Sequence, residues 1–178
     1  MPGEIETRAF VEVRAAGRKL EGYAATFGSE ARLGNYVETI APGAFRSSLA
    51  GDVIAMLDHD PGKVLGRTRS GTLRLAEDGK GLAFSLDLPD TQAGRDVLAL
   101  AERGDLGGMS FGFTVPKDGE SWQGERRTLR AIALKEISVV QAWPAYPDTE
   151  IAVRAKRDAS DAERRRRALI LAGATKWA

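Results

Sequence analysis

The stretch Asp105-Leu106-Gly107-Gly108-Met109-Ser110-Phe111-Gly112-Phe113 holds the residue whose setting most invites chemistry, Ser110. As a strand, it places Met109, Phe111 and Phe113 on one face and only Ser110 and Gly112 on the other. A hydroxyl on a surface cleared of bulk can meet a substrate carbonyl, and the flanking glycines admit a second chain at close range. A tight sheet contact between small residues explains the same pattern, so a nucleophile reading of Ser110 needs partners elsewhere.

Serine is a weak nucleophile until a base takes its proton, and an imidazole base needs a third group to fix its tautomer and balance its charge. The chain contains one histidine, His59, so this residue is either the base or irrelevant. Its position at the end of the apolar strand 52–57 suits a base at the lip of a sheet and equally suits a solvated surface residue. Asp58, Asp60 and Glu136 are the acids that could orient it. Neighbours along a strand point to opposite faces, so Asp58 and Asp60 are poorly aimed at the His59 ring, and they also serve as turn formers before Pro61. Glu136 lies on a strand (133–142) that could face His59, and it shares a side with Ser138 and Val140. It is the preferred acid, with an ordinary strand ion pair as the alternative.

The elements that must position these residues are mostly short strands. Residues 4–15 and 20–27 read as a first hairpin, 28–34 as a polar loop, 36–40 as a short extended piece and 42–49 as one or two helical turns. Further strands are expected at 52–57, 63–68, 73–76 and 82–88, with Pro61-Gly62 as a turn. Pro89-Asp90-Thr91 caps a helix that presents Val97, Leu98 and Ala101 and stops at Arg103-Gly104. After the Ser110 strand come a flexible loop over 116–124, strands at 126–132 and 133–142, a break at 143–147, a last short strand at 151–153 and a helix-prone 161–174. Short strands at this spacing point to a barrel or sandwich.

Composition narrows the options. The 178 residues are 43% apolar, enough for one domain with a real core. With no cysteine and one histidine, disulfides and thiolate sites are excluded and a histidine-rich zinc site is disfavoured. No apolar run approaches the roughly 20 residues that span a bilayer. The polar Met1-Pro2-Gly3-Glu4 is unlike a signal peptide, so the expectation is a protein that works inside a cell. The net charge of +1 divides unevenly: residues 154–178 carry eight Lys/Arg against three Asp/Glu, leaving −4 on 1–153. A weakly acidic body with a basic tail is a poor nucleic-acid binder over most of its surface.

Several segments taken together resemble a known family. They are Leu57-Asp58-His59-Asp60, the Gly-Met-Ser-Phe-Gly-Phe of 108–113, the Glu-Ile-Ser-Val-Val of 136–140 and the Pro-Ala-Tyr-Pro-Asp-Thr of 144–149. In order and spacing, joined by 21–27 and 42–45, they resemble the HK97-type prohead proteases of tailed phages over roughly residues 5–153. The resemblance implies a serine endopeptidase with a mainly β fold and flanking helices, an antiparallel β-barrel of the herpesvirus-assemblin type. It implies Ser110 as nucleophile and His59 as base. Where the assemblins use a second histidine, this chain has none, and Glu136, 26 residues after the serine, takes that place. A backbone donor for the oxyanion is expected from 143–146.

The division implied is a protease domain over 1–153 and a basic, partly helical or disordered tail over 154–178. The implied substrates and partners are scaffolding protein, the scaffold-like segment of the major capsid protein, and the protease itself. The implied place is the assembling procapsid in the bacterial host cytoplasm. A homodimer of the assemblin kind is the self-association suggested; no cofactor, membrane or nucleic-acid partner is expected. The main rival is a non-catalytic β-barrel capsid-assembly or scaffold component that kept the fold. An esterase is disfavoured by the lack of a Gly-x-Ser-x-Gly elbow and of alternating βα units.

Overall fold

Alternating and short apolar segments become strands, and in the computed structural model thirteen of them are described over residues 6–10 and 13–142. The readings at 143–147, 151–153 and 161–174, and the basic tail, lie outside the described residues. In chain order the elements are β1 (Glu6–Phe10), β2 (Val13–Ala16), β3 (Lys19–Thr26), β4 (Ala31–Leu33), β5 (Tyr36–Ile40), a 3-10 turn (Arg46–Ser48), β6 (Ile54–Leu57) and β7 (Asp60–Arg67). Then follow β8 (Leu73–Glu77), β9 (Gly81–Asp87), α1 (Gln92–Arg103), β10 (Gly108–Thr114), β11 (Glu120–Gln123), β12 (Arg126–Leu129) and β13 (Ala133–Val140).

These strands form three sheets, ordered β1-β10-β13-β6-β7, β11-β12-β5-β4 and β2-β3-β9-β8. The fold is mainly β, but the antiparallel barrel expected from the resemblance is not what the described residues form. The sheets are open, and two of them are mixed, because β13 runs parallel to β6 and β12 parallel to β5. Among the described residues, flanking helix reduces to α1 and the one 3-10 turn. The expected first hairpin is also divided. The alternation of 4–15 spans two strands in different sheets, β1 pairing with β10 and β2 with β3. The polar 28–34 contains β4, and the expected flexible loop 116–124 contains β11, which pairs with β12.

The core lies between the five-stranded sheet and the β2-β3-β9-β8 sheet, with β3 packing against β1 and β10. Met109, Phe111 and Phe113 of β10 are fully buried there with Ile137, Val139, Leu20, Leu82 and Leu86. Phe111 stands edge-on to Phe45 at 5.7 Å and stacks on Phe113 at 5.3 Å. Burying three large side chains fixes the inner face of β10, which in turn commits Ser110 to the other face. α1 begins and ends at its signals: Thr91 Oγ1 accepts from the Gly94 amide at 3.2 Å, and Gly104 closes it in the left-handed conformation at φ 74°.

A buried ion network ties β1 to the β11-β12-β5-β4 sheet. Arg8 grips Glu38 with two hydrogen bonds of 2.6 and 2.9 Å, and Arg127 reaches Glu38, Glu6 and Glu120 at 2.9, 2.6 and 2.6 Å. Glu38 is 1% exposed, and two guanidinium groups satisfy its buried carboxylate. The network holds the strand that pairs directly with β10.

Candidate active site

Ser110, Gly112, Glu136 and Ser138 share the face of the five-stranded sheet opposite the aromatic core. The register of β10 and β13 sets Ser110 across from Ser138 and Gly112 across from Glu136. A bulge follows at once, with Phe113 opposite Leu134, so that Lys135 is the extra residue. The bulge lets Leu134 and Ile137 both enter the core while Glu136 stays on the site face.

His59 arrives from the other side. Leu57 pairs with Asp60, and the two residues between them, Asp58 and His59, have φ of 51° and 58°. Positive φ at both central residues of a two-residue hairpin is the type I′ turn. The turn therefore falls at Asp58-His59, and Pro61-Gly62, the expected turn, lies inside β7. Proline is tolerated there because β7 is an edge strand and its missing amide costs no ladder bond.

The parallel pairing of β6 with β13, Leu57 beside Val139, carries this turn to the end of the strand that holds Glu136. His59 Nδ1 and Glu136 Oε1 are 2.8 Å apart, a contact between residues 77 apart in sequence. His59 is half-buried and Glu136 largely buried. With Nδ1 donating to the carboxylate, Nε2 is the nitrogen left for proton transfer. Among Asp58, Asp60 and Glu136, the acid joined to the ring is Glu136. The Asp60 carboxylate is engaged by the Gly62 amide and Lys63.

Ser138 was missed as a participant by sequence reasoning, which had only noted that it shares a side with Glu136. Its hydroxyl donates to Glu136 Oε2 at 2.6 Å. The two carboxylate oxygens are thus divided, one to Ser138 and one to His59. Gly112 has a definite task as well: a Cβ there would collide with Glu136 Oε1, so the carboxylate occupies the space that the missing side chain leaves. Gly107 clears space for backbone, since its Cβ would meet the Ala142 carbonyl.

Ser110 is 1% exposed, and its Oγ has no hydrogen-bond partner among the described residues. His59 and Ser110 are therefore not hydrogen-bonded to each other in this structure. A buried hydroxyl left unpaired is costly and calls for a reason. Of the two serines facing each other across β10 and β13, Ser138 spends its proton on Glu136 and Ser110 keeps its own available. A surface trough of about 450 Å³ lies away from this site, over Tyr23, Ala76, Ala83 and Ser85 on the β3-β9-β8 face. It lacks the chemistry found here. The segment 143–146, expected to supply an oxyanion donor, is outside the described residues.

A mainly β protein in which an available serine shares a sheet face with a histidine-carboxylate pair has the make-up of a serine hydrolase. Comparison with known proteins narrows this: the Caudovirus prohead serine protease family matches residues 4–163, and the chain belongs to that family. The matched span extends past residue 153, where the resemblance in the motifs stopped. The chain is also similar to the prohead protease of Enterobacteria phage HK97, 34% identical over 164 residues that cover 85% of this chain and 69% of the relative. No solved structure matches. The protein is a serine peptidase.

Proposed function

We propose that Ser110, His59 and Glu136 are the nucleophile, base and orienting acid of a capsid-maturation endopeptidase. The observation that carries this is the 2.8 Å contact of His59 Nδ1 with Glu136 Oε1, on the sheet face that carries Ser110, whose hydroxyl has no partner among the described residues. Ser110 Oγ attacks the scissile carbonyl as His59 Nε2 takes its proton, and the imidazolium is balanced by Glu136. Collapse of the tetrahedral adduct breaks the C–N bond, and His59 returns the proton to the leaving amine. Water then attacks the acyl-enzyme, giving its proton to His59, and Ser110 Oγ departs and is reprotonated. Ser138 holds the carboxylate still throughout.

In this reading the substrates are scaffolding protein or a scaffold-like segment of the major capsid protein, cut inside the procapsid, together with the protease itself. The name of the similar phage protein and the family description support the prohead setting. The kinship with herpesvirus assemblins belongs to the same reading and rests on the motifs. The protease domain over 1–153 and the basic extension from 154, eight Lys/Arg against three Asp/Glu, suit docking on an acidic scaffold partner. Sedimentation of the full chain decides between a monomer and an assemblin-like homodimer.

The test is co-expression with a major capsid protein of the same phage type, read by intact mass. Wild type should yield a truncated capsid protein and Ser110→Ala only the full-length one, with both proteases folded. Processing by Ser110→Ala would remove the nucleophile assignment.

A further inference from the structure

The Asp58 carboxylate has no place in the mechanism above, yet its contacts bind the histidine turn to the strand that carries the acid. Asp58 Oδ1 accepts the Gln141 amide at 2.9 Å, across 83 residues of sequence. The Asp58 amide in turn donates to the Val139 carbonyl at 2.9 Å. The tip of the β6-β7 hairpin is thus held from two directions to the end of β13, at Val139, one residue past Ser138, and at Gln141, three residues past it.

That same stretch of β13 is the neighbour of the nucleophile strand. The Gly107 amide donates to the Val140 carbonyl at 2.8 Å, and Gly107 packs on the Ala142 carbonyl so closely that no side chain fits. Residues 139–142 therefore touch the histidine turn through Asp58 and the approach to Ser110 through Gly107. Without the carboxylate, the turn is tied to this stretch by the Asp58 amide alone.

The backbone raises the stakes. Asp58 and His59 both adopt the left-handed conformation without being glycine, a state that persists only where surrounding contacts enforce it. Asp is among the residues that tolerate it, but tolerance alone would be met better by glycine. What glycine lacks is the acceptor for Gln141.

We propose that Asp58 is a positioning residue for His59: its carboxylate oxygen, by accepting the Gln141 amide, locks the type I′ turn so that the imidazole is held against Glu136. This rests on the reading of Ser110 and His59 as nucleophile and base. The feature that matters is an acceptor at this position, not a negative charge. Asparagine keeps the left-handed preference and offers Oδ1, alanine loses both, and glycine keeps only the conformation.

The experiment measures the second-order rate at which a biotinylated fluorophosphonate labels the full chain, read by intact mass. It is run on wild type, Ser110→Ala, Asp58→Asn, Asp58→Ala and Asp58→Gly, with thermal midpoints for each. Wild type should label and Ser110→Ala should not. Asp58→Asn should label within about threefold of wild type, whereas Asp58→Ala and Asp58→Gly should fall at least about tenfold, in line with the cost of a misplaced catalytic group. Asp58→Gly, relieved of backbone strain, should keep its thermal midpoint, which separates misplacement from unfolding. Asp58→Gly labelling as fast as wild type would overturn the proposal, since positive φ would then be the whole requirement. Asp58→Asn as slow as Asp58→Ala would overturn it by pointing to charge. A wild type that takes no label at Ser110 would bring down the protease reading itself, and this proposal with it.

Discussion

Alanine at position 112 adds a single carbon to the site face of β10, and the nearest atoms it meets all belong to Glu136: Oε1 first, then Cδ and Cγ at 3.1 Å. The backbone is no obstacle, because Gly112 lies outside the left-handed region. In a strand interior the change by itself favours the folded state by roughly 0.5–1 kcal/mol. The carboxylate must therefore give way, and the oxygen displaced is the one 2.8 Å from His59 Nδ1. A hydrogen bond to a charged group contributes about 1.5–3 kcal/mol. If that is lost from the transition state, the rate should fall roughly 10- to 150-fold. The assay is the fluorophosphonate labelling rate of Ser110 in wild type, Gly112→Ala, Glu136→Ala and the double variant, with thermal midpoints alongside. The double variant should be no slower than Glu136→Ala, since a methyl group has nothing to strike once the carboxyl is gone. Gly112→Ala at the wild-type rate, or losses that multiply in the double variant, would refute the reasoning that this glycine acts through the carboxylate.

Other expectations follow from the same contacts. Ser138→Ala removes the 2.6 Å donor to Glu136 Oε2 from a fully buried position, and should slow labelling about 10-fold or more and also lower the thermal midpoint, because the buried oxygen loses its partner. A rate within experimental error of wild type would leave Ser138 as packing. Glu6 should contribute acid-sensitive stability. Burial alone would raise its pKa, but the hydrogen bond and charge of Arg127, with the charge of Arg8, hold it below the ordinary 4.5. A lowered folded value means stability that is present above the ordinary pKa and lost as pH falls through the folded one. The gap in thermal midpoint between wild type and Glu6→Gln should thus be widest near neutrality and close below about pH 4.5. A gap independent of pH would count against it.

The sequence displayed the parts of the site that depend on local pattern. The alternation of Met109, Phe111 and Phe113 told which way Ser110 faces, because three large apolar groups on one side of a strand leave no choice of register face. The caps of α1 were legible because each is a contact within a few residues. Features hidden from sequence reasoning are the non-local ones. Pro61-Gly62 was a sound turn signal overruled by topology: at a sheet edge proline is harmless, and the turn moved to Asp58-His59, whose left-handed φ values no local preference demanded. The division of 4–15 between two sheets was invisible because alternation looks the same whichever partner a strand takes. The network of Arg8, Glu38 and Arg127 was equally hidden, since its members are scattered along the chain and obey no period.

Register joins these observations. The pairing of Ser110 with Ser138 and of Gly112 with Glu136 brings four residues of two strands onto one face. The parallel pairing of Leu57 with Val139 then decides how far along β13 the hairpin tip reaches, and so whether His59 meets Glu136. A slip of one residue between β10 and β13 would turn Ser110 toward the core and Phe111 toward the site, so the aromatic packing that stabilises the sheet also keeps Ser110 on the face of Glu136. The bulge at Lys135 sits at the point where the demands diverge. Beyond it, strict alternation would keep Leu134 on the same side as Glu136, and the extra residue lets the core claim Leu134 without moving the carboxylate. Stability and site geometry are therefore set by the same cross-strand pairs, and this is why a variant at Gly112, rather than in the core, can separate the two.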